Sequence, residues 1–249
     1  MTSGGKIIMK DSLKENGWLI DRGRRMMCGN FILDLLKGVP KEGRTIVLIR
    51  HSERPSFTGI PDNLREGVKI TPEGVRMARA FGESLAEIFY GKRILLAHTP
   101  ACRCKMTAES IGEGYSPGDC VRVLGSQLEV ESVVLDPDQY VMLRDACGWK
   151  HLIQRWLKEE IPEHILRNPH NYCEDLVRKL LSFPEMNDDD LLVVVAHDVT
   201  IFPIIFSVFG KPVTSLGFLN GVIMTGDPAR IQILYSDAES SLKKEWKSS

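Results

Sequence analysis

The sequence predicts an α/β protein: a mostly parallel central sheet with helices on both faces, antiparallel strands near the C-terminus, and a mostly helical cap insertion. Three observations carry this. Short apolar runs at Thr45–Ile49, Ile94–His98 and Leu191–Ala196 are hydrophobic on both faces, as strands covered from two sides must be. Helical patterns separate them, and strand–helix alternation in one sheet implies parallel strands with right-handed crossovers. Finally, Phe218–Thr225 and Arg230–Tyr235 flank Gly226-Asp227-Pro228, the composition of an antiparallel hairpin.

The chain has 249 residues, 43% hydrophobic and 26% charged, without a Gly/Ser or Pro-rich linker. One domain over 44–249 is expected, after an N-terminal helical extension over 1–43. In that extension Asn30–Lys37 reads as a helix with Phe31, Ile32, Leu35 and Leu36 on one face, stopped by Gly38 and Pro40. After the first strand comes a loop over 55–70 rich in Gly, Pro, Asp and Asn. Thr71-Pro72-Glu73-Gly74 then starts a helix, with Thr71 as cap and Pro72 where a missing N–H costs little. This helix is expected to reach Tyr90, and the next runs from Ala101 to Ile111.

The cap insertion is placed at about 112–185. Within it Val121–Leu124 has strand character, Trp149, Leu152, Ile153, Trp156 and Leu157 form a helical apolar face, and Asn171–Ser182 reads as a further helix. Trp149 and Trp156 are read as that cap's packing surface. Thr200–Val208 follows the third strand as a helix. Asp188-Asp189-Asp190 reads as a solvated turn before that strand, not as a metal site.

Composition excludes several classes. A formal charge of −1 gives no electrostatic reason to expect nucleic acid or an anionic membrane as partner. The most apolar stretch, Leu191–Phe209, is interrupted by His197, Asp198 and Pro203 and reads as strand plus helix rather than a membrane span. The N-terminus has no secretory pattern and the six cysteines are scattered, so reduced thiols and a cytoplasmic location are expected. His98, Cys102 and Cys104, or His164, His170 and Cys173, lack zinc-site spacing. No metal or cofactor is expected.

In a parallel sheet, ligands bind beyond the carboxyl ends of the strands. Those ends carry Arg50-His51-Ser52-Glu53-Arg54, His98 followed by Arg103, and His197-Asp198. One rim would then hold two imidazoles, three guanidiniums and a carboxylate. A neutral imidazole can attack phosphorus without a separate base. Guanidiniums grip phosphate oxygens bidentately and stabilise charge on the transferring group. A carboxyl group can protonate the departing oxygen. No metal is needed for this chemistry.

These residues resemble the histidine phosphatase superfamily, which includes acid phosphatases and phosphoglycerate mutases. Arg50-His51 matches its Arg-His-Gly signature. Thr71-Pro72-Glu73-Gly74, Thr99–Ala108 and Ala196-His197-Asp198 match later landmarks in the same order, and the likeness spans roughly 44–235. It implies that His51 becomes phosphorylated and that Arg50, Arg103 and His197 bind the phosphoryl oxygens. Arg54 corresponds to the extra arginine of the acid-phosphatase branch, and Asp198 to that branch's proton donor.

The mutase branch draws its donor from the region after the second arginine, where Glu129 and Glu131 stand as second-choice donors. The usual Gly after the nucleophile is Ser52 here, a change expected to reshape the phosphate pocket or lower activity. The implied function is metal-independent hydrolysis of a small-molecule phosphomonoester or phosphoprotein through a phosphohistidine. The alternatives are a mutase-like phosphotransferase and a non-catalytic phospholigand or phosphoprotein binder. The sequence leaves substrate identity and oligomeric state open.

Overall fold

A computed structural model describes residues 29–115, 120–126, 132–227 and 230–246. Seven strands form one sheet in the order β3-β2-β4-β1-β5-β6-β7. They are β1 (Arg44–Arg50), β2 (Ile94–His98), β3 (Val121–Gly125), β4 (Leu191–Ala196), β5 (Gly221–Asp227), β6 (Arg230–Ser236) and β7 (Ser241–Trp246). β3, β2, β4 and β1 are mutually parallel, and β5, β6 and β7 continue antiparallel. This is the mixed α/β sheet that the apolar runs and the hairpin predicted.

Alternate residues of the central strands feed two cores, as the two-residue period of a strand requires. Ile46, Leu48, Leu95, Leu192 and Val194 face one side, while Val47, Ile49, Leu96, Val193 and Val195 face the other. The second face is covered by α1 (Asn30–Lys37), α2 (Pro72–Ile88) and α3 (Cys102–Tyr115). α1 buries Ile32 and Leu36, the face read from its sequence. α2 opens as expected, with Thr71 Oγ1 accepting from the Gly74 amide at 2.9 Å and Pro72 in the first turn. α2 and α3 pack so closely that a Cβ on Gly82 would collide with the Ile111 carbonyl, so only glycine serves there.

The first face is covered by α4 (Pro137–Cys147), α5 (Trp149–Leu157), α6 (Pro169–Leu181) and α7 (Asp198–Phe209). Leu152, Ile153, Trp156, Leu176, Val177 and Leu180 belong to the same apolar cluster as Leu48, Val194 and the α7 residues Ile201 and Ile205. Helices α5 and α6 therefore share the core of the sheet instead of closing over a core of their own. Within 112–185, residues up to Tyr115 complete α3, and Val121–Gly125 is an edge strand of the main sheet.

Three details differ from the sequence reading. Strand β7 was not foreseen: Ser-Leu-Lys-Lys-Glu-Trp is charged, and only Leu242 and Trp246 reach the core from this sheet edge. Charged edges of this kind resist pairing with other chains. Asp190 is not solvated but 4% exposed, accepting from Arg93 Nε at 2.9 Å and from the Asn187 amide at 2.6 Å. Helix α3 extends four residues past Ile111 to Tyr115, whose hydroxyl donates to the Phe89 and Lys92 carbonyls, each at 2.9 Å.

Candidate active site

β2, β4 and β1 are adjacent and parallel, with Arg50 level with Ala196 and His98 level with Val195. Their carboxyl ends therefore meet at one rim, which opens into a cleft of about 500 Å³. Arg50, His51, Arg54, Arg103, His197 and Asp198 all line it. All six first-choice residues are thus brought to one cleft. Glu129 and Glu131 lie outside the described residues.

His51 leaves β1 with its amide donating to the Ala196 carbonyl at 3.0 Å, and it is 3% exposed. Its Nδ1 lies 2.7 Å from the Ser52 carbonyl oxygen. A carbonyl only accepts, so Nδ1 carries the proton and Nε2 keeps its lone pair. Burial, with Arg50, His197 and Arg103 nearby, pushes the imidazole pKa down to about 2. The ring is neutral at physiological pH.

His197 meets His51 edge-to-face, with 5.6 Å between centroids. Burial and the Arg103, Arg50 and Arg54 guanidiniums hold its pKa down at about 3. Thr99 Oγ1 lies 3.3 Å from its Nε2 and Arg103 Nη2 lies 3.4 Å from the ring nitrogens. His197 stands at the N-cap position of α7 without a side-chain capping bond, so the N-terminal, positive end of that helix dipole lies at the cleft.

The three arginines are held by different elements. Arg50 donates through Nη1 to the Leu216 carbonyl and stacks under Phe218 at 4.6 Å. Arg103, on the first turn of α3, is 8% exposed and donates to the Arg65 carbonyl at 2.8 Å. Arg54 donates to the Pro55 carbonyl at 2.8 Å and lies 3.3 Å from the centroid of Phe57. Each keeps a buried Nε with no hydrogen-bond acceptor among the described residues. Buried donors without acceptors are costly, so three converging ones favour an anionic ligand at this point. Burial and the neighbouring Arg50 and Arg103 lower the Arg54 pKa to about 10, which leaves it charged.

Asp198 begins α7. Its Oδ1 accepts from the Val199 amide at 3.0 Å, and Oδ2 stands 3.7 Å from Arg50 Nε. The carboxylate thus sits at the edge of the guanidinium cage with one oxygen turned toward it.

Ser52, where the likeness has Gly, is turned toward α2. Its side chain is fully buried and donates to the Gly74 carbonyl at 2.7 Å, while its amide donates to Thr107 Oγ1 at 3.0 Å. Its φ is not positive, so the backbone here makes no demand that only glycine meets. The hydroxyl ties the loop after β1 to α2, and Ser52 is not among the residues lining the cleft. Gly74 is needed beside it, because a Cβ there would strike the Glu53 carbonyl.

Several lining residues escaped the sequence reading. Phe57 lies against Arg54, Arg65 and Arg103 from the loop over 55–70. Asp62 in that loop accepts from Arg144 of α4 through both oxygens, at 2.7 and 3.1 Å, and pairs with Arg65. Tyr140, Trp149 and Lys150 complete the outer wall. Trp149 packs against the core, as read from the sequence, and also lines the cleft, whereas Trp156 is buried with its indole N–H on the Arg167 carbonyl at 2.7 Å. These lining residues come from the loop over 55–70, from α4 and from the first turn of α5, and the Asp62–Arg144 contact spans 82 positions, so no local sequence signal points to them.

Among the described residues no helix is long and apolar enough to cross a membrane. No family model and no curated protein matches the chain. Solved structures do. A phosphoglycerate mutase from Bacillus anthracis superposes with a TM-score of 0.54 at 12% identity, over 75% of this chain and 90% of that one. A mycobacterial glucosyl-3-phosphoglycerate phosphatase gives 0.50 at 20% identity, over 83% and 100%. A protein described as mycobacterial hydrolase 1 gives 0.50 at 19%, over 82% and 97%. At such identities the likeness speaks for the fold alone: this chain shares the fold of these phosphoglycerate mutase and phosphatase structures.

Proposed function

We propose that the protein is a phosphomonoesterase that works through a phosphohistidine on His51. One observation carries this reading: a buried, neutral imidazole with a free Nε2 faces three guanidiniums that have unfilled donors. Arg50, Arg54, Arg103 and His197 hold the phosphoryl oxygens. The Nε2 lone pair attacks phosphorus, and the bond from phosphorus to the ester oxygen breaks. The Nδ1–H bond to the Ser52 carbonyl strengthens as the ring gains positive charge, so the fixed carbonyl dipole favours the transition state.

Asp198 gives its proton to the departing oxygen, then takes one from the water that cleaves the phosphorus–nitrogen bond and restores neutral His51. Its position beside Arg50 at the edge of the cage supports this role and, with it, the acid-phosphatase-like branch. The burial of the Ser52 side chain against Gly74 supports a catalytic reading over a non-catalytic binder.

His51→Ala is expected to abolish both turnover and covalent labelling by a radioactive phosphoester; turnover persisting in that variant overturns the mechanism. Asp198→Asn is expected to slow alkyl phosphates far more than p-nitrophenyl phosphate, whose leaving group needs little protonation. Equal losses on the two substrates would move the donor role elsewhere.

A further inference from the structure

Helix α3 gives the cleft more than Arg103. Its inner face touches the backbone on both sides of His51. Cys104 Sγ donates to the Ala196 carbonyl at 3.6 Å, the same oxygen that accepts the His51 amide at 3.0 Å. One turn further on, Thr107 Oγ1 accepts from the Ser52 amide at 3.0 Å. Thr107 is fully buried and is not among the residues lining the cleft. Any effect it has on a ligand must pass through other residues.

The hydrogen bonds around this hydroxyl define its task. A hydroxyl has one proton and two acceptor sites. The Thr107 proton goes to the Arg103 carbonyl one turn back, at 2.7 Å. Oγ1 is thereby left to accept, and among the described residues the Ser52 amide has no other partner. The Ser52 carbonyl in turn accepts from His51 Nδ1 at 2.7 Å. A single buried oxygen thus ties the residue that orients the imidazole to the turn of α3 that carries Arg103. The Ser52 hydroxyl braces the same residue against Gly74 of α2, but α2 supplies no cleft residue, so that bond leaves the spacing between His51 and Arg103 untouched. Without the Thr107 acceptor the Ser52 amide becomes a buried orphan donor, and the peptide after His51 is free to turn toward another partner.

We infer that Thr107 is a positioning residue: through the Ser52 amide it fixes where His51 Nε2 stands relative to the phosphoryl group held by Arg103. This role rests on the phosphohistidine reading. Binding of the ground state uses the guanidiniums and His197 and does not need the imidazole in line, whereas attack on phosphorus does. Loss of the acceptor therefore lowers kcat and leaves KM nearly unchanged. A displacement on the order of 1 Å is enough for a large loss of rate.

The test removes the acceptor while keeping the shape. Thr107→Val is isosteric and lacks the oxygen, and Thr107→Ser retains it. Each variant is assayed well below its own unfolding midpoint, so that a loss of stability does not read as a loss of rate. In Thr107→Val, kcat on p-nitrophenyl phosphate is expected to fall at least tenfold with KM within threefold of wild type, and Thr107→Ser is expected to recover kcat to within threefold. Vanadate, which becomes five-coordinate with the nucleophile at one apex, should bind Thr107→Val at least tenfold more weakly by calorimetry. Inorganic phosphate, which needs only the guanidinium cage, should change less than threefold. A smaller fall in kcat, a loss carried by KM, or a Thr107→Ser variant as impaired as Thr107→Val overturns the positioning role. If Thr107→Val does not fold, Thr107→Cys takes its place, because a thiol sulfur accepts an N–H more weakly than a hydroxyl oxygen; the same tenfold gap from Thr107→Ser is then required. A wild type that hydrolyses no ester, with vanadate and phosphate binding still ordered as expected, keeps the positioning role and overturns the phosphatase reading.

Discussion

The two neutral histidines should make the protein sensitive to mild acid in a way that can be apportioned to a single residue. In the unfolded chain each imidazole titrates near 6.5, whereas in the folded chain His51 titrates near 2 and His197 near 3. Below pH 6.5 the unfolded state therefore takes up protons that the folded state refuses. Stability is full above the unfolded value and falls as pH drops toward the folded values. Each histidine costs about 1.4 kcal/mol per pH unit in that window. At pH 4.5 the gap of two units below 6.5 amounts to about 2.7 kcal/mol for His51 alone.

His51→Asn removes this proton uptake while its amide can still donate to the Ser52 carbonyl. Urea unfolding of wild type and variant between pH 7 and 4.5, in phosphate-free buffer, checks the expectation. Whatever the offset at pH 7, the curves should converge or cross as pH falls, the variant gaining about 2 to 3 kcal/mol relative to wild type by pH 4.5. Curves that stay parallel would show that His51 titrates alike in both states. The neutral imidazole inferred from its burial would then be wrong.

Two further expectations concern residues that brace the site and the sheet. Ser52→Gly should cost about 1 kcal/mol, the worth of the hydroxyl's bond to the Gly74 carbonyl, and change kcat/KM less than threefold because that hydroxyl does not line the cleft; a tenfold gain in activity would show that Ser52 does disturb the phosphate site. Asp190→Asn should lower stability by about 1 to 3 kcal/mol, because the buried carboxylate joins Arg93 to the turn before β4. Thermal unfolding unchanged to within a degree would refute it.

The sheet was legible because its signals are local. Thr45–Ile49, Ile94–His98 and Leu191–Ala196 are apolar on both faces, and strands buried on two sides have no other way to be written. Thr71 and Pro72 announce α2 through backbone chemistry that acts within four residues. Strand β7 was hidden for the opposite reason: an edge strand needs only every second residue on one face, and Leu242 and Trp246 are too sparse a pattern among lysines and a glutamate.

The inner half of the candidate site was equally readable, because parallel strands bring their carboxyl ends together whatever the order of strands between them. Arg50, His51, Arg103, His197 and Asp198 follow from that rule alone. What the sequence by itself determined is therefore the strand-end chemistry: which imidazoles, which guanidiniums and which carboxylate share a rim. The tertiary structure decided the rest, because the remaining features depend on contacts between distant segments. It set the tautomer and burial that leave His51 neutral, turned the Ser52 hydroxyl toward α2 instead of the guanidinium cage, and brought Asp62 to Arg144 across the mouth. No local pattern encodes a contact whose partners lie 82 residues apart and are joined only when the loop over 55–70 meets α4.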